Sequence, residues 1–121
     1  MQLNHLDLHV TDIPAARAFF ETFFDFHCPY ARADLAILVD AAGFELAISN
    51  RSKATAVQYP ADFHIGFVVN EIAQVDAVYA RIKDAGYAIP FDLQKAGPSW
   101  AFQCIGPDGI HVEMRAPLAK S

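Results

Sequence analysis

The chain has 121 residues, 54% of them apolar and 19% charged, which is enough material to bury the core of one domain and too apolar for a disordered segment. Nine Lys and Arg against fourteen Asp and Glu leave a formal charge of −5, so no positive field draws the chain to phosphate backbones or anionic membranes. Neither nucleic acid nor a membrane is expected as a partner. Asp34, Asp40 and Glu45 interrupt the longest apolar stretches before they reach the ~18 residues of a membrane span. His5, Asp7 and His9 stand where a signal peptide would carry a basic start and an apolar run, so the expected location is the cytoplasm. Cys28 and Cys104 have no zinc or redox spacing and read as apolar fillers of a reduced compartment.

Residues 3–10 alternate, with Leu6, Leu8 and Val10 on one side and His5, Asp7 and His9 on the other, the pattern of a strand with one buried face. Thr11 or Asp12 then offers an N-cap oxygen and Pro14 suits a first helical turn. Ile13, Ala16, Phe20, Phe23 and Phe24 recur at helical spacing up to a stop near Asp25. The run Phe19, Phe20, Phe23, Phe24 and Phe26 exceeds one narrow stripe, so most of it is expected in the core and the remainder in a dimer contact. Leu35 to Val39 and Phe44 to Ile48 read as two strands around the turn residues Asp40-Ala41-Ala42-Gly43. Asn50 to Pro60 has no period and reads as a linker.

Beyond it the same order returns. Shifted by 59 positions, His5 falls on His64, Leu8 on Phe67, Ile13 on Ile72, Phe20 on Tyr79 and Asp25 on Asp84. Val75, Val78, Tyr79 and Ile82 mark the second helix, and Gly86 stands where a left-handed stop belongs. Later the shift becomes 68, placing Asp40 on Asp108 and Glu45 on Glu113, as though nine extra loop residues lay around Gln94 to Ser99. Gly106-Pro107-Asp108-Gly109 is a strong turn between strands Ala101 to Ile105 and Ile110 to Arg115. A further strand is expected in each half, around Cys28 to Ala33 and Ala88 to Leu93.

The expected class is therefore α+β: two βαβββ modules forming a curved mixed sheet around a cavity, with one helix packed on the outside of each. Module one spans 1–50, the linker 51–60 and module two 61–118, within one domain of residues 1–121. On the sheet face away from each helix, the first strand carries His5 or His64 and the last strand Glu45 or Glu113. If the faces meet, two imidazoles and two carboxylates form a nitrogen and oxygen ligand set for a divalent metal with exchangeable positions left open. His9 and Asp7 share that face, His9 ~6.6 Å along the strand from His5, which makes His9 a candidate substrate contact. Trp100 adjoins the extra loop and is a candidate cavity wall. His27 and His111 read as surface residues.

The order of elements, with Asn4-His5-Leu6, Phe44-Glu45-Leu46, Phe63-His64-Ile65-Gly66-Phe67, Gly106-Pro107-Asp108-Gly109 and Val112-Glu113-Met114, resembles the vicinal oxygen chelate superfamily. That superfamily includes glyoxalase I, fosfomycin-resistance thiol transferases, extradiol dioxygenases and bleomycin-resistance proteins. The resemblance implies metal ligands at His5, His64 and Glu113, with Glu45 as the fourth ligand of a glyoxalase-like set. It implies lyase or isomerase chemistry through an enediolate on a small substrate with two adjacent oxygens. Glu113 is the first choice of base and Glu45 the second, with zinc, nickel, cobalt or manganese as cofactor; iron would signal the oxygenase branch. His9 and Ser49 stand where glyoxalase I carries glutathione contacts of other types. Two further readings follow from the resemblance: a metal-free module that sequesters a toxin between aromatic walls such as Trp100, Tyr30, Phe91 and Phe102, and a thiol transferase needing only the three-residue set. A homodimer, with the modules of one chain or of exchanged partners facing each other, is also implied.

Overall fold

In the computed structural model, residues 1–118 are described; the last three positions of the expected 1–121 domain lie outside them. The chain divides into two units, Met1–Gln58 and Tyr59 onward, and the division falls within the expected linker.

Unit one runs β1 (His5–His9), α1 (Ile13–Phe23), β2 (His27–Arg32), β3 (Leu35–Val39) and β4 (Glu45–Ser49). Asp12 caps α1 by accepting from the Ala15 N–H at 3.0 Å, and the helix stops where Asp25 turns left-handed at φ 57°. The strands form one sheet in the order β1-β4-β3-β2, with β1 parallel to β4 and the other pairs antiparallel. The parallel pairing is possible because α1 carries the chain back across the sheet between them. Leu8, Leu38, Leu46 and Ile48 are buried on the helix side of the sheet. Phe20 stands edge-on to Phe19 and Phe26, with ring centroids 5.1 and 6.0 Å away. All five phenylalanines from Phe19 to Phe26 are at most 8% exposed, so none remains for the dimer contact that the sequence suggested.

Unit two repeats the plan: β5 (His64–Val68), α2 (Ile72–Asp84), β6 (Phe91–Ala96), β7 (Ser99–Ile105) and β8 (His111–Pro117), in the sheet order β5-β8-β7-β6. At the start of α2 the Gln74 side chain accepts from the Glu71 N–H at 3.1 Å. At its end Gly86 takes φ 88°, donating to the Lys83 carbonyl while Tyr87 donates to that of Ile82. Val75 and Ile82 of the helix, with Phe102, Cys104 and Val112 of the sheet, are almost wholly buried. The βαβββ order is thus present twice, in two four-stranded mixed sheets among the described residues, each with its own helix.

The ladders correct the shift of 68 positions. In unit one His5 pairs with Glu45 and Asp7 with Ala47; in unit two His64 pairs with His111 and Gly66 with Glu113. The strand counterpart of Glu45 is therefore His111, 66 positions on (111 against 45), and the counterpart of Glu113 is Ala47. The extra residues are not all loop either. Arg32 pairs with Leu35 across the first hairpin, and Gln94 with Ala101 at the same place in the second, which then continues through Lys95 with Trp100 and Ala96 with Ser99. Four residues read as loop or loop margin are two additional rungs of strand pairing.

Candidate functional site

Strand alternation sorts each sheet into a helix face and an open face. In unit one the open face carries His5, Asp7 and His9 of β1 beside Glu45, Ala47 and Ser49 of β4. In unit two it carries His64 and Gly66 of β5 beside His111 and Glu113 of β8. The four expected ligands all lie on open faces, two in each unit.

The two histidines are set alike. His5 Nδ1 lies 2.9 Å from Asn4 Oδ1, and His64 Nδ1 lies 3.1 Å from the Asp62 carbonyl oxygen. An oxygen acceptor draws the proton to Nδ1, so each ring is left with an Nε2 lone pair, and both rings are exposed. An imidazole held this way by an oxygen on its other nitrogen is the usual arrangement of a metal ligand. The side-chain carboxylates of Glu45 and Glu113 have no hydrogen bond or ion pair among the described residues, which leaves their oxygens available as hard donors. Nitrogen and oxygen donors of this kind fit a borderline divalent cation. No three His, Cys, Asp or Glu side chains among the described residues are arranged so as to hold a metal ion, so neither unit supplies a complete ligand set of its own.

The remaining expected residues are placed differently from one another. His9 shares the face of His5, its Nε2 3.5 Å from Ser52 Oγ. Asp7, between them, accepts from Ser49 Oγ at 2.5 Å and meets Arg51 at 3.5 Å, so its charge is already answered. Trp100 lies on the helix face of β7, in step with Phe102 and Cys104, and its indole N–H donates to Asp76 of α2 at 2.7 Å. It braces helix to sheet and does not share the face of Glu113.

The exposed aromatic on the same face as Glu113 is instead Phe91, half exposed on β6, two strands away. It lines a cleft of about 280 Å³ with Gln94, Ala101, Gln103 and Glu113. Gln103 pairs directly with Glu113, and its Oε1 lies 3.3 Å from His111 Nδ1. Gln103 and Gly66 were not legible as site residues. The only signals were a polar residue inside the apolar run Ala101 to Ile105 and a glycine inside a strand.

A family model described as the Glyoxalase/Bleomycin resistance protein/Dioxygenase superfamily matches residues 2–114. The structure of a possible glyoxalase from Bacillus cereus is 34% identical, with a TM-score of 0.83 over 94% of this chain and 97% of that one. Two more distant structures share the fold. A lactoylglutathione lyase from Agrobacterium tumefaciens is 15% identical, with a TM-score of 0.76 over 95% and 92% of the two chains. The fosfomycin resistance protein FosX from Listeria monocytogenes is 23% identical, with a TM-score of 0.76 over 98% and 94%. No curated protein matches the sequence. With the repeated module and the open-face histidines and glutamates in place, the chain belongs to the glyoxalase/bleomycin resistance protein/dioxygenase superfamily.

Proposed function

We propose that this chain is a metal-dependent, glyoxalase-like lyase or isomerase acting on a small molecule with two adjacent oxygens. His5, His64 and Glu113 hold one divalent cation, zinc, nickel, cobalt or manganese, with Glu45 as the fourth donor. The observation that carries this reading is the matched setting of the two histidines, each fixed through Nδ1 and open at Nε2. The cation, when bound, supplies positive charge that makes a hydrogen beside the substrate oxygens more acidic.

The protein's own part is to place a base and to orient the substrate. Glu113 is the first choice of base. Its carboxylate has no competing partner among the described residues and lies over Gly66, where no side chain obstructs it. Glu45 is the second, directly opposite His5. His9, on the same face as His5, is a substrate contact in this reading. The protein acts in the cytoplasm as a homodimer, with the modules of one chain or of exchanged partners completing the site.

One observation favours a second reading. Ala47, which cannot donate to a metal, occupies the strand position equivalent to Glu113. This supports His5, His64 and Glu113 as a complete set, the arrangement suited to a fosfomycin-type thiol transferase. Elemental analysis of protein purified without chelator or histidine tag, followed by hemithioacetal turnover with several thiols, tests the proposal. Bound metal with isomerisation that is lost in Glu45→Gln supports the first reading. Retained metal with thiol transfer in Glu45→Gln supports the second. No bound metal and no activity with added metal contradicts both.

A further inference from the structure

Across unit two, one row of cross-strand partners runs over all four strands of the open face. Gly66 pairs with Glu113, Glu113 with Gln103, and Gln103 with Phe91. Neighbouring strands are about 4.8 Å apart, so about 10 Å separates the strands that carry Glu113 and Phe91. Along that distance the chemistry changes in order. Glu113 offers acceptors; Gln103 accepts from His111 through Oε1, which leaves its amide NH2 as the donor end; Phe91 offers a half-exposed ring face. The irregular pairing between Phe91 and Gln94 bends the edge strand there, and a cleft of about 280 Å³ opens along the row.

We infer that this row selects the substrate: a small molecule whose oxygens lie at Glu113 and Gln103 and whose other end is a flat apolar ring packed on Phe91. Nearly polar-only substrates would leave Phe91 and the cleft unfilled, at a loss of apolar contact worth about tenfold in affinity. The oxygen end rests on the metal reading above, whereas the ring end does not. Gln103 acts as a specificity residue, since its donors meet a substrate oxygen, and its amide is oriented by His111.

Two probes separate the parts: acetohydroxamate, which carries two adjacent oxygens alone, and benzohydroxamate, which adds a phenyl ring. Both are titrated into full-length 15N-labelled protein, with zinc and without. With zinc, benzohydroxamate should bind about tenfold more tightly than acetohydroxamate. Phe91→Ala should bring the two to within about threefold, with acetohydroxamate affinity unchanged. Without zinc, millimolar benzohydroxamate should still move the amide signals of Phe91, Gln103 and Glu113. Phe91→Leu serves as a second variant if the alanine change disturbs the edge strand, and it should retain part of the preference. Failure of acetohydroxamate to bind with zinc, while benzohydroxamate still moves these signals, would remove the metal reading and leave the ring site standing. Equal affinity of the two probes, or a preference untouched by Phe91→Ala, overturns the inference.

Discussion

Gly66 and Glu113 face each other across the β5–β8 ladder, and a Cβ built on Gly66 would come within 3.4 Å of Glu113 Oε2. A Cβ there would be in ordinary van der Waals contact with the carboxylate, which lies beside β5 on the face where His64 stands two residues earlier, so a methyl fits and a larger branched side chain crowds it. In unit one the corresponding pair is Asp7 with Ala47, so the acid has moved to the other strand and is occupied by Ser49 and Arg51.

This relationship separates folding from ligand binding at one position. Glycine inside a strand is conformationally expensive by about 0.5–1 kcal/mol relative to alanine. Gly66→Val should therefore hold or raise the melting temperature, while its branched side chain pushes the Glu113 carboxylate aside and weakens zinc binding about tenfold. Gly66→Ala, whose methyl meets the carboxylate only at ordinary contact distance, should raise the melting temperature while leaving zinc affinity within about twofold. Thermal melts and calorimetric zinc titrations of the two variants check this, and a loss of stability without loss of zinc affinity would refute it.

Asn4 is a lever on His5. Its side-chain oxygen fixes the ring at Nδ1, and such supporting bonds are typically worth 10- to 100-fold in metal affinity. Asn4→Ala should weaken zinc binding by about tenfold with little change in melting temperature, because the pair is exposed. Asn4→Asp, which retains an oxygen acceptor, should recover most of the loss.

Trp100 should behave as a brace. Trp100→Phe removes the donor to Asp76 and should cost about 1 kcal/mol of stability in denaturant melts. Its effect on zinc affinity, and on binding of either hydroxamate, should be within twofold. A large change in probe binding with an unchanged melt would return Trp100 to the site.

The two cysteines should differ sharply in reactivity. Burial pushes the Cys104 thiol up to about 11 from 9.0, whereas Cys28 is partly accessible on β2, its Sγ donating to the Tyr30 carbonyl. A thiol reagent at pH 8 should label one cysteine in the native protein and both after unfolding. Because the folded state raises this pKa, its contribution to stability is complete below about pH 9 and is lost as the pH rises through about 11. Cys104→Ala should flatten that alkaline decline in pH-dependent melts.

The fold was legible because its signals were local and repeated. The alternation of His5 to Val10, the stop at Gly86 and the turn at Gly106 to Gly109 each stand in the structure where the residue chemistry puts them. What failed was register. Glu45 and Glu113 look equivalent because each sits in an apolar pair near a strand start, but sequence similarity cannot count rungs, and the ladder offsets them by two residues. The same blindness hid the two extra rungs that end at Ala96 and Ser99, and with them the face on which Trp100 lies. Gln103 drew no notice because one polar residue in a strand has no meaning until its cross-strand neighbours, Glu113 and Phe91, are known.

Binding of zinc to the metal-free chain, measured by isothermal calorimetry alongside His5→Gln, His64→Gln and Glu113→Gln, addresses the proposed ligand set most directly. One tight site whose affinity falls at least about 100-fold in each variant, with melts of the apo forms unchanged, is the expected result. No saturable site in the unaltered chain, or a site that survives loss of His64 or Glu113, would contradict it.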